Sequence, residues 1–151
     1  MEQEGGKAGR FRDGSESVIG ACIEGHRYLG PGLLESAYEL CLAHELQLRG
    51  LRVERQRPVP LRYKGILLDC GYRLDLVVDG ALVVEIKAVD RRMPIHQAQV
   101  LTYLRLTGLR VGLLVNFHSE VIKNDLRRLT LSPAFPSSPD HWFHVELDAG
   151  I

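Results

Sequence analysis

The stretch GYRLDLVVDGALVVEIK, residues 71–87, places aliphatic residues on both sides of an Asp-Gly pair. Large aliphatic and β-branched residues flanking such a dipeptide are typical of two antiparallel strands joined by a tight turn. Asp75, Glu85 and Lys87 are charged residues within the otherwise apolar strands of this hairpin. A charged group in a hydrophobic strand needs a partner or a metal ion, because burying an isolated charge is very costly in free energy. The stretch therefore predicts a β-hairpin that belongs to a sheet and, at its charged residues, an ion pair or a metal site.

The register of this hairpin decides whether the three charged residues can act together. Side chains alternate between the two faces of a strand, so Glu85 and Lys87 point to the same face. With a two-residue loop, Asp75 would lie opposite Val84 and point to the other face. A three-residue loop, or a glycine bulge at Gly80, brings Asp75 to the face of Glu85. On these residues alone, a structural ion pair with Lys87 stays open as an alternative to a metal site.

The remaining periodic segments predict an α/β fold. Apolar spacing of three and four residues predicts helices over residues 14–28, 34–50 and 93–107. Period-two patterns and apolar runs predict strands over residues 51–63, 66–78, 81–88 and 109–117, with a last strand or short helix over 121–131. Helices and strands in this order indicate helices layered on a sheet.

Length and composition favour one globular domain, since the chain has 151 residues with 45% hydrophobic and 25% charged content. We assign residues 14–131 to the domain, residues 1–13 to a flexible N-terminal segment and the Pro- and Ser-rich residues 132–151 to a C-terminal tail. No apolar run approaches the ~20 residues that cross a bilayer, and no secretory signal is recognised, so we expect a cytoplasmic protein. The cysteines are odd in number and far apart, which predicts small core residues at Cys22, Cys41 and Cys70.

Charge is unevenly distributed along the chain. Residues 49–128 hold 15 of the 19 Lys and Arg residues but only 8 of the 19 Asp and Glu residues, within a formal net charge of +0. Most of these basic residues are Arg, whose guanidinium suits bidentate contacts with phosphate. Phosphate is therefore a candidate partner, and a solvated basic surface is the alternative.

A second polar group follows on the third predicted helix. His96, Gln99 and Tyr103 are spaced at i, i+3 and i+7, so they share one helix face.

An ordered series of segments resembles the GxxExxY protein family of the PD-(D/E)xK nuclease superfamily. GLLESAY (residues 32–38) carries the signature, and the later segments are GYRLD (71–75), EIKA (85–88), HQAQ (96–99) with Tyr103, and residues 108–117. Gln99 and Tyr103 also resemble the QxxxY motif of RecB-like members of the superfamily. The resemblance runs from about Val18 to Leu129.

The resemblance implies a restriction-endonuclease-like core, with a mixed central sheet flanked by helices. It also implies a site for Mg²⁺ or Mn²⁺. By analogy with the family, Asp75 and Glu85 would be the metal-binding carboxylates, the Ile86 main-chain carbonyl a further ligand and Glu35 an additional acid from a helix. An acid in a first helical turn also favours the helix dipole, which leaves a structural alternative for Glu35.

The other roles implied by the resemblance concern catalysis. Lys87 would position the attacking water, and Gln99 and Tyr103 would orient the substrate or Lys87. A core position remains an alternative for Tyr38, a structural role is preferred for His26, and the role of His96 stays open.

Together these features predict a Mg²⁺-dependent nuclease-like phosphodiesterase that acts on DNA or RNA by attack of metal-activated water. A homodimer is expected for a nuclease this small. One alternative is a non-catalytic nucleic-acid-binding or regulatory domain that keeps the nuclease fold, and another is a metal-dependent hydrolase of a small phosphorylated substrate. The complete set of Asp75, Glu85 and Lys87 favours the enzyme over the non-catalytic domain.

Overall fold

In the computed structural model, which describes residues 13–131 and the backbone of residues 145–148, helices and strands follow one another as expected for an α/β chain. The helices are α1 (Ser15–Leu29), α2 (Glu35–Leu48) and α3 (Pro94–Thr107). The strands are β1 (Val53–Pro58), β2 (Leu61–Tyr63), β3 (Ile66–Leu68), β4 (Arg73–Val78), β5 (Leu82–Lys87), β6 (Val111–Asn116), β7 (Leu126–Leu131) and β8 (Val145–Asp148). A short 3-10 helix, Ile122–Asp125, precedes β7.

Six of these strands form one mixed sheet in the order β1-β4-β5-β6-β7-β8. The pairing of β5 with β6 is parallel, and the other neighbouring pairs are antiparallel. A parallel pair needs a crossover connection, which α3 provides here. Strands β2 and β3 form a separate two-stranded sheet. The predicted mixed central sheet flanked by helices is therefore confirmed.

Buried apolar side chains lie on both faces of the sheet. Helices α1 and α2 pack on one face, where the cluster includes Val18, Cys22, Tyr38, Leu42, Leu46, Leu76, Val84, Ile86, Leu113 and Val115. Helix α3 packs on the other face, where the cluster includes Leu74, Val77, Val83, Val100, Leu104, Leu114 and Leu129. Strands β4 and β5 contribute to both clusters, so the segment that carries the acidic residues runs through the middle of the fold.

The structure corrects the prediction of a single strand over residues 66–78. Strand β3 ends at Leu68, and β4 begins at Arg73. Between them the Asp69 carboxylate accepts a hydrogen bond from the Gly71 N–H at 3.0 Å, and Gly71 has a φ of 78°. An Asp side chain that bonds two residues ahead forms a turn, and this turn divides the predicted strand.

Other segments also differ from the predicted pattern. Cys22 is buried as expected, but Cys41 and Cys70 are exposed, because Cys41 lies on the outer face of α2 and Cys70 in the turn before β4. Strand β8 lies within the segment assigned to the tail and pairs with β7, whereas Trp142 and Phe143 lie outside the described residues. Among the described residues, no helix has the length and apolar character needed to span a membrane.

Candidate active site

The β4–β5 hairpin has the three-residue loop that the site requires. Val78 pairs with Leu82, which leaves residues 79–81 as the loop. Its first two residues have φ values of 52° and 69°, and the N–H of its third donates to the Val78 carbonyl at 3.0 Å. Consecutive positive φ values are typical of the turns that close β-hairpins. Continuing this register places Asp75 opposite Glu85.

The regular ladder between β4 and β5 stops just before these two acids. The last paired residues are Leu76 and Val84. Beyond them, the Asp75 N–H donates to Glu85 Oε1 at 3.1 Å, and the Ile86 N–H donates to Asp75 Oδ2 at 2.8 Å. Each carboxylate thus satisfies a main-chain donor that would otherwise lack a partner. These hydrogen bonds hold the two carboxylates next to each other.

Glu85 is buried and Asp75 is half-buried, and acidic side chains outnumber basic ones around them. Glu85 is only 3% exposed, and burial followed by the charge of Asp75 raises its pKa to about 8. Burial also raises the pKa of Asp75, and the charges of Glu39 and Glu35 act in the same direction. The charge of Lys87 opposes both shifts without cancelling them. Such a cluster favours the binding of a proton or a cation.

Helix α3 brings its polar stripe to the same place. Lys87 Nζ donates a hydrogen bond to Gln99 Oε1 at 3.3 Å. Tyr103, one turn further along α3, is buried, and burial together with the charge of Glu85 raises its pKa, against the effect of a hydrogen bond with Gln99. Gln99 and Tyr103 therefore link the helix to Lys87 and Glu85. His96 caps the start of the helix, since its Nδ1 accepts the Met93 N–H at 3.0 Å.

Glu35 reaches the rim of the site from α2. Its Oε2 accepts a hydrogen bond from the Ala88 N–H at 3.3 Å, one residue beyond Lys87. Its negative charge also raises the pKa of Asp75 and of Glu85, but less than their burial does. The structure therefore places Glu35 close enough to influence the acid pair but holds it on the main chain after β5.

The other residues of the helical signature have structural contacts. Tyr38 is fully buried, its ring stacks on Phe117 with centroids 4.6 Å apart, and its hydroxyl donates to the Gly30 carbonyl at 2.5 Å. The same hydroxyl accepts the Leu33 N–H at 3.1 Å, so Tyr38 fixes the turn between α1 and α2. His26 Nε2 lies 2.7 Å from a main-chain oxygen, that of Ser119, in keeping with the structural role preferred for it.

Two side chains that contact the site did not emerge from the sequence. Gln56 Nε2 donates to Glu39 Oε1 at 2.6 Å and, at the longer distance of 3.4 Å, to Asp75 Oδ1. Gln56 also has a φ of 54° in the middle of β1, a conformation that non-glycine residues rarely adopt. Glu39 is 6% exposed and pairs with Arg55 at 3.1 Å. The signal for Glu39 was available, because an acid in the apolar stripe of α2 needs a partner.

The donor set fits a hard divalent cation. In the range 13–131, no group of three or more His, Cys, Asp and Glu side chains is arranged to hold a metal ion, so Glu35 is not grouped with Asp75 and Glu85. Mg²⁺, however, is usually bound through one or two carboxylates, with waters and substrate phosphates as its other ligands. Two adjacent carboxylates, one buried and one half-buried, match that pattern.

A mixed sheet flanked by helices, with an acid pair and a lysine on adjoining strands, defines a nuclease-like α/β domain. Residues 12–129 match the family model of the PD-(D/E)XK nuclease superfamily. The chain therefore belongs to this superfamily, whose members act on nucleic acid and generally use divalent metals. Comparison with curated proteins and with solved structures finds no significant match.

Proposed function

We propose that this chain is a divalent-metal-dependent phosphodiesterase that cleaves nucleic acid, and that within its superfamily it is a GxxExxY protein. The observation that carries the proposal is the contact between Asp75 and Glu85 at the point where β4 and β5 separate, with Lys87 on the same strand. A buried glutamate whose pKa is raised by burial and by the charge of a neighbouring carboxylate is unfavourable for folding unless it binds a proton or a cation. A cation-binding function explains why they stand together.

Asp75, Glu85 and the Ile86 carbonyl are the proposed ligands for Mg²⁺ or Mn²⁺. The Ile86 N–H points to Asp75, and in an extended strand the N–H and C=O of a residue project to the same edge. The Ile86 carbonyl is therefore expected on the Asp75 side of β5. When bound there, the ion would polarise a phosphodiester and lower the pKa of a bound water. Glu35, at the rim, would supply a further carboxylate to the ion.

Lys87 is the proposed group that positions the attacking water. Its hydrogen bond to Gln99 directs the ammonium toward α3, and its charge acts on both acids. In this role Lys87 holds the water oxygen, and its positive charge stabilises the negative charge that develops on the phosphoryl oxygens. Gln99 fixes the position of Lys87, and Tyr103 supports Gln99 from one turn further along α3.

The proposal is tested by cleavage of labelled single- and double-stranded DNA and RNA with Mg²⁺, with Mn²⁺ and with EDTA. The parent is compared with Lys87→Ala, and Lys123→Ala, which removes an exposed lysine preceding β7, is the matched control. We expect cleavage that needs metal, persists in Lys123→Ala and falls at least about 100-fold in Lys87→Ala. Sedimentation of the parent tests the expected homodimer.

One observation favours the non-catalytic alternative. Asp75 and Glu85 both accept main-chain N–H groups, so the acid pair also serves to close the end of the β4–β5 ladder. A domain that used these acids only for structure would bind nucleic acid without cutting it, and its melting temperature would not change with Mg²⁺ or Mn²⁺. Absence of metal-dependent cleavage together with that flat response would establish the alternative.

A further inference from the structure

A cleft of about 560 Å³ opens directly beside the candidate active site, between α3 and the segment that leads into β4. Lys87 and Gln99 line it as well as the site, so the two are continuous. Its volume is in the range of pockets that hold one small molecule or one residue of a polymer. Whatever occupies this cleft therefore lies next to the atoms that we propose to perform the reaction.

The walls of the cleft are largely apolar and partly aromatic. Leu61, Tyr72, Ile95 and Leu106 line it, together with Tyr103. Tyr72 is 44% exposed, and its ring centroid is 6.2 Å from that of Tyr103, with the rings inclined at 53°. An exposed tyrosine at the wall of a cleft offers a ring on which a flat apolar group can stack. Polar side chains line the cleft as well: Lys87, His96, Gln99, Thr102 and Arg105.

We propose that this cleft binds an unpaired nucleobase of the strand being cut, which makes single-stranded or locally unpaired nucleic acid the substrate class. The inference rests on the proposed function, because the phosphate attached to that nucleotide would lie at the Lys87 end. A nucleotide combines a charged phosphate with a flat, largely apolar base, and the cleft combines Lys87 and Gln99 of the site with apolar and aromatic walls. Bases stack on aromatic side chains in sites that bind single strands.

A paired base does not fit this cleft. In a duplex both faces of a base are covered by its neighbours and its edge is paired, so its ring reaches an aromatic wall only after it leaves the stack. Stacking on tyrosine is also tolerant of sequence, because every base has a π-face. The cleft thus selects for strandedness and not for a particular base.

The test measures binding of fluorescent oligonucleotides by anisotropy in Ca²⁺, with the parent, Tyr72→Ala and Tyr72→Phe. Tyr28→Ala is the matched control, because Tyr28 is an 88% exposed tyrosine on α1, on the other side of the sheet. The probes are a single strand, its duplex, and the same strand carrying one abasic position. We expect Tyr72→Ala to weaken single-strand binding roughly 5- to 100-fold, as stacking on one base requires. Tyr72→Phe and Tyr28→Ala are expected to bind as the parent does.

The abasic strand identifies the contact as base stacking. When the abasic position occupies the cleft, the parent is expected to bind as weakly as Tyr72→Ala, and Tyr72→Ala to lose no further affinity. Equal affinity of the parent for duplex and single strand, or equal behaviour of Tyr72→Ala and Tyr28→Ala, would overturn the inference. If all variants cleaved the single strand and the duplex at equal rates, the inference about the cleft would be overturned, but the proposed phosphodiesterase function would stand. If binding depended on the base in the cleft but no nucleic acid were cleaved, the cleft assignment would stand and the proposed phosphodiesterase function would be wrong.

Discussion

Replacing Glu85 with Gln is expected to stabilise the metal-free protein at neutral and alkaline pH. Glu85 is buried beside Asp75, and its pKa in the folded protein is about 8, against an ordinary value of 4.5. In the unfolded chain the carboxyl ionises at its ordinary pKa. Between these two values the folded protein holds a proton that the unfolded chain has released. Glutamine resembles the protonated form in shape and cannot ionise, so it removes this linkage.

The sign follows from the proton count, because the folded state binds more protons than the unfolded state in this window. The free energy of unfolding therefore falls as pH rises from 4.5 to about 8, by ~1.4 kcal/mol per pH unit. From pH 6 to pH 8 the loss is roughly 2–3 kcal/mol for the parent and absent from Glu85→Gln. For a domain of this size, the gap in melting temperature between Glu85→Gln and the parent should therefore be about 5–10 °C larger at pH 8 than at pH 6.

Thermal melts in EDTA from pH 5.5 to pH 8.5 measure this effect. Glu24→Gln is the matched control, because Glu24 is an exposed acid on α1 that pairs with Arg27. The quantity that matters is the difference in melting temperature between each variant and the parent, since this difference isolates the effect of the substitution at each pH. Parallel curves for the parent and Glu85→Gln across this pH range would show that Glu85 ionises normally, and the description of the buried acid pair would be wrong.

Substitutions at Gly112, Tyr38 and Gln56 test the packing and positioning around the site, each by urea unfolding. Gly112→Ala is expected to lower the free energy of unfolding by ~1–3 kcal/mol, because the added Cβ would lie 2.8 Å from Val100 Cγ1, and shortening Val100 to Ala should relieve part of this loss. Tyr38→Phe is expected to lose ~1–2 kcal/mol, because two main-chain groups lose their partner. Gln56→Ala is expected to lower the free energy of unfolding by a similar ~1–2 kcal/mol. The loss should be about 1 kcal/mol smaller in Gln56→Gly, because glycine accepts the φ of 54°.

The same experiments contain outcomes that contradict each expectation. A Gly112→Ala protein as stable as the parent would mean that α3 shifts away from β6 without cost. An unchanged Tyr38→Phe protein would show that water replaces the hydroxyl in the turn. If Gln56→Gly were no more stable than Gln56→Ala, the left-handed conformation of residue 56 would carry no strain.

Local chemistry allowed the central hairpin and its acids to be predicted. Asp-Gly between apolar runs determines a turn, and strand alternation then limits Asp75 and Glu85 to two relative placements, of which the structure has the three-residue loop. The polar stripe of α3 was predicted for the same reason, because helical spacing alone puts Gln99 and Tyr103 on one face. These features depend on residues close together in the sequence.

The features that escaped prediction depend on contacts between distant segments. Gln56 meets Asp75 and Glu39 only because β1 pairs with β4 while α2 packs beside both strands. No spacing rule relates positions 39, 56 and 75 before the sheet order is known. The break between β3 and β4 escaped for another reason, because the apolar pattern continues through it and only the Asp69 side chain creates the turn.

The raised pKa of Glu85 makes proton release a direct measure of metal binding at this site. A carboxyl group must lose its proton before it can bind a metal ion. In a solution well below pH 8, an ion that binds Glu85 therefore displaces the proton that this carboxyl holds in the folded protein. Calorimetric titration with Mn²⁺ at pH 6.5, in buffers of different ionisation enthalpy, is therefore expected to show about one proton released by the parent and close to none by Glu85→Gln. The number should fall as the pH is raised past 8, because Glu85 is then ionised before the metal arrives. Binding without proton release at pH 6.5 would place the ion elsewhere on the chain, and the acid pair would then serve the fold alone.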